Sequence, residues 1–197
     1  MATRLEGKSV AILATDGFEQ SELLQPLEAL RNAGAEVDVI APKSGEIQGF
    51  KHFEAAQKVQ VDCTLADADA SDYDALVLPG GAHNPDQLRI DEQALAFVRD
   101  FAEAGKPIGA ICHAPWILIN AGLAAGRKLT SWPTIRQDLK NAGATVVDEE
   151  VIVDSGLITS RGPNDLPAFC SKLIEEIAEG AHPQQATKAA QSEQRAH

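Results

Sequence analysis

The fold is decided by residues 105–122, which read GKPIGAICHAPWILINAG. Their first half is a short apolar run that ends at Cys112, as expected for a strand covered by helices on both faces. The second half suits a helix, so Cys112 lies where a strand runs directly into a helix. This layout predicts a nucleophile elbow, a strained turn that exposes a reactive side chain and needs small residues two positions before and after it, here Ala110 and Ala114.

Apolar runs of the same kind occur earlier in the chain and alternate with helical patterns. The predicted strands are Val10 to Ala14, Val37 to Ala41 and Ala75 to Leu78, and the predicted helices are Glu19 to Ala33 and Asp91 to Ala104. Both helices are followed by a glycine, which is typical of a helix end. This alternation predicts an α/β fold with a doubly wound parallel sheet between two layers of helices.

The remaining segments complete one domain. Gly45 and Gly49 interrupt the periodicity of residues 42–60, which indicates a hairpin or an excursion from the sheet. Further predicted elements are a short strand at 128–131, a helix at 134–142, a strand pair at 150–153 and 157–160, and a last helix at 164–178. We assign residues 1–180 to a single domain. Residues 181–197 form a polar C-terminal tail that we expect to be mobile or to pack only on a partner.

Charge and cysteine content limit the partners of the protein. A net charge of -12 disfavours binding to nucleic acid or to an anionic membrane surface. The N-terminal apolar run is too short for a signal peptide or a membrane span. Three widely spaced cysteines fit neither a disulfide framework nor a zinc site. We therefore expect a cytoplasmic protein with free thiols, no metal and no cofactor.

The residues that follow the predicted strands are the candidates for chemistry, because sites in open α/β sheets form beyond the carboxyl ends of the strands. Cys112 is the strongest, since helix amides behind it would lower the pKa of its thiol and would stabilise an oxyanion. Cys63 and Cys170 lack this setting and are interpreted as structural. His113 is interpreted either as a general base or as a polar residue that begins a helix.

A second candidate group lies in the loop LPGGAHNPDQLR at 78–89. Gly80 and Gly81 would let the backbone approach a ligand closely, and His83 and Asp86 follow them. Taken alone, the pair of glycines indicates only a turn. Glu19 follows the first strand, where a carboxylate in the first turn of a helix would also complement the helix dipole.

Together, several motifs resemble the PfpI (intracellular protease I) family in the same order. They are AILATDGFEQSEL, ALVLPGG, NPDQLR, GKPIGAICHAPWILINAG, GRKLTSWP and TSRGPNDLPAF, and the match runs from about Ser9 to Glu179. The superfamily also holds the parkinsonism-associated protein deglycase and, more distantly, the class I glutamine amidotransferases. The resemblance implies a flavodoxin-like sandwich.

The resemblance also implies roles for individual residues. Cys112 matches the family nucleophile, His113 its neighbouring histidine, and Glu19 a protonated carboxyl group that hydrogen-bonds the sulfur. In family proteases a glutamate of a neighbouring subunit completes the triad. Its counterpart here is Asp86, one methylene shorter, and a homodimer or higher homo-oligomer is therefore expected.

The resemblance places the substrate or the oxyanion near Gly80, Gly81, His83 and Ala114, where Ala114 stands in place of the more common glycine. The implied activity is thiolate attack on a carbonyl carbon. Its substrate is a small dicarbonyl in glyoxalase or deglycase chemistry, or a peptide in hydrolysis, and the sequence leaves both open. The alternative is a redox-sensing or chaperone-like stress protein in which Cys112 is oxidised without turnover.

Overall fold

The computed structural model describes residues 4–188, which contain twelve strands and six principal α-helices. The strands are β1 (Ser9–Leu13), β2 (Phe18–Glu19), β3 (Glu36–Ala41), β4 (Glu46–Lys51), β5 (Glu54–Gln60), β6 (Cys63–Thr64), β7 (Ala75–Leu78), β8 (Ile108–Ile111), β9 (Lys128–Leu129), β10 (Thr145–Val146), β11 (Val151–Asp154) and β12 (Leu157–Ser160). The helices are α1 (Gln20–Asn32), α2 (His83–Leu88), α3 (Glu92–Glu103), α4 (Pro115–Asn120), α5 (Arg136–Asn141) and α6 (Leu166–Glu179). Residues 183–188 are also helical.

Seven strands form the central sheet in the order β11-β12-β8-β7-β1-β3-β6. All neighbours are parallel except β11 and β12, which form an antiparallel hairpin at one edge. Ser155 and Gly156 connect this hairpin and both have positive φ, as the tight turns favoured by strand twist require. The order reverses between β1 and β7, so the crevice between their carboxyl ends is where a ligand site is expected.

Helices cover the sheet on both faces. Along β1, Ala11 and Leu13 join a core with residues of α3 and α4, whereas Val10 and Ile12 join a second core with residues of α1 and α6. Side chains that alternate between two apolar cores explain why the strands are nearly continuous apolar runs in the sequence. The predicted flavodoxin-like, doubly wound sheet in a single domain is confirmed.

The main differences from the predicted elements are additions outside the central strands. Residues 42–60 contain the β4–β5 hairpin, and the unpredicted strand β2 pairs with β4 to attach that hairpin next to α1. The short strand predicted at 128–131 is β9, which pairs with the unpredicted strand β10 in a separate two-stranded sheet. The helix predicted at 134–142 begins as a 3₁₀ turn at Pro133–Ile135 before α5.

The first part of the C-terminal tail packs on the domain, contrary to expectation. The N–H of His182 donates to the carbonyl of Gly105 at 2.7 Å, and the buried side chain of Gln185 donates to the carbonyl of Lys106. These contacts attach residues 181–188 to the loop that precedes β8. Residues 189–197 of the predicted tail lie outside the described residues. No helix within the described part of the chain is long and apolar enough to span a membrane.

Candidate active site

Cys112 lies at the turn between β8 and α4, with the strained backbone that a nucleophile elbow requires. Its φ is 64°, in the left-handed region that is costly for a residue with a side chain. Hydrogen bonds hold the turn on both sides, because the N–H of Cys112 donates to the carbonyl of Ser160 at 3.0 Å and its own carbonyl accepts from Trp132 at 2.9 Å. Cys112 is buried, with 5% of the residue exposed.

The carboxyl group beside the thiol belongs to Glu22, which corrects the contact expected for Glu19. Glu22 is completely buried in the first turn of α1, and its Oε2 accepts a hydrogen bond from the N–H of Gly80 at 2.9 Å. Its carboxyl group interacts with the Cys112 thiol, although Oε1 has no hydrogen bond of regular geometry. The reason is helical geometry: Glu22 lies on the buried face of α1, whereas Glu19 precedes the helix in β2.

Glu19 instead faces a cavity at the side of the elbow. It is the N-cap of α1 but makes no capping hydrogen bond with its side chain. Its Oε2 accepts from the N–H of His52 at 3.0 Å, in the turn of the β4–β5 hairpin. Glu19 also lines a cavity of about 410 Å³, together with Gly17, Phe50, His52, Phe53, Gly81, Ala82 and His83.

The buried carboxyl group of Glu22 and the buried thiol of Cys112 each make it harder for the other to ionise. Burial raises the pKa of Glu22 to about 8, against the opposing effects of its contact with Cys112 and of the Gly80 and Gly81 amides. Burial also raises the pKa of the Cys112 thiol, and the charge of an ionised Glu22 raises it further. This differs from the lowered thiol pKa that the sequence predicts. Ionisation of the thiol is therefore least unfavourable while Glu22 keeps its proton.

Two backbone amides favour the thiolate. The N–H groups of Gly81 and His113 both lower the pKa of the Cys112 thiol by hydrogen bonding to the sulfur. Gly81 has a φ of 81°, and a side chain there would collide with the backbone of Gly17. The N–H of Gly80, by contrast, is already bonded to Glu22 and is not free for an oxyanion. Gly80 and Gly81, which the sequence analysis grouped together, therefore have different hydrogen-bond partners.

His113 is placed to exchange a proton with the thiol. Its Nδ1 lies 3.1 Å from the Cys112 Sγ, and its Nε2 lies 3.3 Å from the Thr134 Oγ1. The imidazole stacks on Trp132 with ring centroids 5.9 Å apart. Burial lowers the pKa of His113, so the ring is neutral at pH 7. If Nε2–H donates to Thr134, Nδ1 carries the lone pair that faces the sulfur.

The structure places the other predicted site residues as follows. His83 begins α2 and covers Gly17, at the mouth of the cavity that Glu19 lines. Ala114 is buried in the core, and its N–H donates to the carbonyl of Ile111, so it has no free donor for an oxyanion. Asp86 is exposed on α2, and within residues 4–188 no hydrogen bond or ion pair links it to Cys112 or His113.

Donor atoms suited to a metal ion lie elsewhere. In the described part of the chain, one group of three side chains brings such atoms within 4.8 Å of one another: Glu176, Glu179 and His182. This group lies at the end of α6. His182 Nε2 is 3.2 Å from Glu176 Oε2, so the two can form an ion pair without a metal.

The fold and the site define a class of protein: flavodoxin-like α/β sandwiches that carry a cysteine at a strained strand-to-helix elbow beside a buried carboxyl group. The model described as the DJ-1/PfpI family matches residues 8–176, and the chain belongs to this family. The resemblance found in the sequence is therefore confirmed.

Two named relatives and one solved structure are similar to this chain over more than four fifths of its length. Protein/nucleic acid deglycase 2 of Escherichia coli is 47% identical over 163 residues, which is 82% of this chain and 93% of the relative. Deglycase TK1284 of Thermococcus kodakarensis is 45% identical over 166 residues, 84% of this chain and 97% of the relative. The crystal structure of Drosophila melanogaster DJ-1beta has a TM-score of 0.80 and 31% identity, and covers 95% of this chain and 97% of its own.

Proposed function

We propose that the protein is a cofactor-independent enzyme whose Cys112 attacks the carbonyl carbon of small dicarbonyls or of their adducts, as a deglycase or glyoxalase does. The observation that carries this proposal is the 3.1 Å separation between Cys112 Sγ and His113 Nδ1 at a strained elbow. The names of two deglycase relatives support the same class of reaction. The three free cysteines are in keeping with action in the cytoplasm.

In the first proposed step the thiol proton passes to Nδ1 of the neutral His113, while Glu22 remains protonated and donates toward the sulfur. The sulfur then bonds to an aldehyde carbon, and the electrons of the carbonyl double bond move to its oxygen. That oxygen then takes the proton from His113. The product of this step is a hemithioacetal.

In the second proposed step His113 removes the proton from the carbon bonded to sulfur, and the neighbouring carbonyl oxygen is protonated, giving an enediol. A proton then moves to the neighbouring carbon while the hydroxyl on the sulfur-bonded carbon gives up its proton, and the product is a thioester of a 2-hydroxy acid. Water attacks the thioester, the carbon–sulfur bond breaks, one proton of the water returns to the sulfur, and the acid leaves. One carbon is oxidised as its neighbour is reduced, so the reaction consumes one water and needs no external oxidant.

The burial of Cys112 supports a small carbonyl rather than a peptide as the substrate. A peptide bond is flanked by chain on both sides, and the sulfur must reach its carbonyl through an open cleft. Cys112 is 5% exposed, and its neighbour His113 lies between Trp116 and Trp132. An aldehyde at the end of a chain can reach such a sulfur without any rearrangement of the elbow.

The test is turnover of methylglyoxal, glyoxal and a fluorogenic peptide by the wild type and by Cys112→Ser. Cys170→Ser is the matched control, because Cys170 is a half-buried thiol on α6. We expect dicarbonyl turnover to fall by several orders of magnitude in Cys112→Ser and to change little in Cys170→Ser. Activity of Cys112→Ser within about tenfold of the wild type would contradict the proposal. So would a wild type that turns over neither dicarbonyl.

A further inference from the structure

We infer that Glu176, Glu179 and His182 form a zinc site that attaches the C-terminal segment 181–188 to the end of α6. One donor atom of each side chain lies within 4.8 Å of the other two. Zinc accepts imidazole and carboxylate ligands, and two carboxylates balance its charge. The site is separate from the proposed reaction, because it lies before the start of β8, whereas Cys112 follows the end of that strand. The expectation of no metal rests on cysteine spacing, which does not bear on oxygen and nitrogen ligands.

The spacing of the donor atoms suits a tetrahedral ion. His182 Nε2 lies 3.2 Å from Glu176 Oε2. Two ligand atoms that each lie about 2.0–2.1 Å from one tetrahedral zinc are separated by about 3.3 Å, so this pair needs almost no adjustment. Glu179 is exposed and can turn its carboxylate into the third position. Water can supply the fourth ligand.

The imidazole of His182 has a buried nitrogen that is poorly aligned with its neighbour. Within residues 4–188, His182 Nε2 is shielded from solvent and makes no hydrogen bond of regular geometry, although Glu176 Oε2 lies close to it. Glu176 is itself only 7% exposed. A polar atom that is shut away from water is costly without a partner. A zinc ion beside the carboxylate would bind the lone pair of this nitrogen without requiring it to point at the oxygen.

Two glycines let the backbone hold His182 in place. The N–H of His182 donates to the carbonyl of Gly105 at 2.7 Å. A β-carbon at Gly105 would be 2.8 Å from the His182 carbonyl oxygen, and one at Gly156 would be 2.8 Å from His182 Cδ2. His182 therefore lies in a slot between the loop before β8 and the turn of the β11–β12 hairpin. A ligand held in this way loses little conformational freedom when an ion binds.

The charge at the end of α6 also favours a cation. The C-terminal end of a helix carries a partial negative charge. The last turn of α6 contains Glu176 and Glu179 but no basic residue. Lys172, one turn earlier, forms its ion pair with Glu175. Among the ion pairs of the described residues, neither Glu176 nor Glu179 has a lysine or arginine partner. Two carboxylates at this end of a helix are unfavourable unless a cation offsets them.

The test titrates zinc into the untagged protein that carries Cys112→Ser, which removes the thiol at the elbow. Isothermal titration should show about one zinc site per chain, and an approximately hundredfold excess of Mg²⁺ should not displace the zinc, because magnesium disfavours imidazole ligands. Glu179→Gln should weaken zinc binding by about tenfold or more. Glu175→Gln is the matched control, because it removes an equal exposed charge from the same helix outside the group. It should leave the affinity nearly unchanged.

Hydrogen exchange read by mass spectrometry tests the attachment of the segment. Zinc should slow the exchange of amides in residues 181–188, and this effect should be lost in Glu179→Gln. His182→Asn removes the nitrogen ligand and should weaken zinc binding at least as much as Glu179→Gln.

Equal weakening in Glu175→Gln and Glu179→Gln would overturn the inference, because it would indicate diffuse attraction to an acidic helix. Zinc binding that neither Glu179→Gln nor His182→Asn weakens would also overturn it, since the ion would then bind elsewhere. So would the absence of zinc binding, or bound zinc without slower exchange in residues 181–188.

Discussion

Glu22 and Cys112 lie against the same residue, Gly80. A β-carbon at Gly80 would be 2.6 Å from the Cys112 Cβ and 2.8 Å from the Ile111 carbonyl oxygen, and would also overlap Glu22 Oε2. The acid and the thiol thus share a dry space that is open only because position 80 has no side chain. This relationship makes the loop after β7 as much a part of the site as the elbow itself.

Gly80→Ala should be strongly destabilising, because two of the three atoms that the new methyl group meets are main-chain or Cβ atoms that cannot turn aside. We expect the free energy of unfolding in urea to fall by about 2 kcal/mol or more. Gly122→Ala is the control, since its φ of 77° carries strain but nothing lies within 4 Å of the added carbon. Gly80 itself has no positive φ, so a loss in Gly80→Ala no greater than that in Gly122→Ala would contradict the predicted collision.

Glu22→Gln should stabilise the protein in a manner that depends on pH. The pKa of Glu22 is about 8 in the folded chain, against 4.5 for an ordinary glutamate. The folded state therefore keeps a proton that the unfolded state releases, and wild-type stability falls as pH rises from 4.5 to 8. Glu22→Gln does not lose stability in this way. The difference in free energy of unfolding between the variant and the wild type should therefore grow by up to about 4 kcal/mol between pH 4.5 and 8. Urea unfolding at about pH 4.5, 6 and 8 measures it, and an advantage independent of pH would contradict the raised pKa.

Glu22→Gln should also slow the alkylation of Cys112. A carboxylic acid donates a stronger hydrogen bond to a thiolate than an amide does, so the variant should react about tenfold more slowly with iodoacetamide at pH 7. Peptide-resolved mass spectrometry gives the rate, with Cys63 and Cys170 as internal references. Glu54→Gln, which removes an exposed carboxylate on β5, is the matched control and should leave the rate nearly unchanged. Faster alkylation in Glu22→Gln would mean that Glu22 acts mainly as a repelling carboxylate.

His113→Ala should lower kcat/KM for methylglyoxal by a factor of about 10² to 10⁴, the usual contribution of a general base. Burial lowers the pKa of His113, so the acid limb of the wild-type pH–rate profile should lie below pH 6.5. Thr134→Val removes the partner of Nε2 and should reduce activity less than His113→Ala. An acid limb that is identical in the wild type and in His113→Ala would exclude His113 as the titrating base.

The protein should form a homodimer or a larger assembly of identical subunits. The family resemblance assigns the third catalytic position to Asp86 of a neighbouring copy, and within one chain this residue is exposed on α2. Light scattering at micromolar concentration should give about twice the chain mass of 20.9 kDa or more. If the assembly completes the site, Asp86→Asn should reduce kcat without altering the assembly. A monodisperse monomer would remove Asp86 from the site.

Much of the fold can be predicted, because each buried parallel strand is a short apolar run in the sequence. Residues that are typical of turns separate these runs. The sequence predicts the strand Ala75–Leu78 with its observed ends, and β1, β3 and β8 to within two residues. The short strands β2, β6 and β10 cannot be predicted in this way, since two-residue strands exist only through their tertiary partners.

The candidate site is predictable in part. The elbow at Cys112 follows from local sequence, but the contact assigned to Glu19 depends on which of two acidic residues, three positions apart, faces the sheet. The apolar positions of α1 contain the signal, because Glu22 lies beside Leu23 and one turn before Pro26 on the buried face. The sequence does not show that Gly80 and Gly81 have different partners, since that depends on how the loop after β7 meets α1.

The left-handed backbone at Cys112 has a consequence for inheritance. Any residue other than glycine retains most of that strain, so the elbow is stable enough only because the rest of the fold holds it in place. In a lineage that no longer needs the thiol, drift to glycine at this codon would relieve the strain and forfeit one small buried side chain. Selection for a reactive thiol and selection for a more stable fold therefore oppose each other at position 112. The residue found there in a descendant protein shows which of the two prevailed.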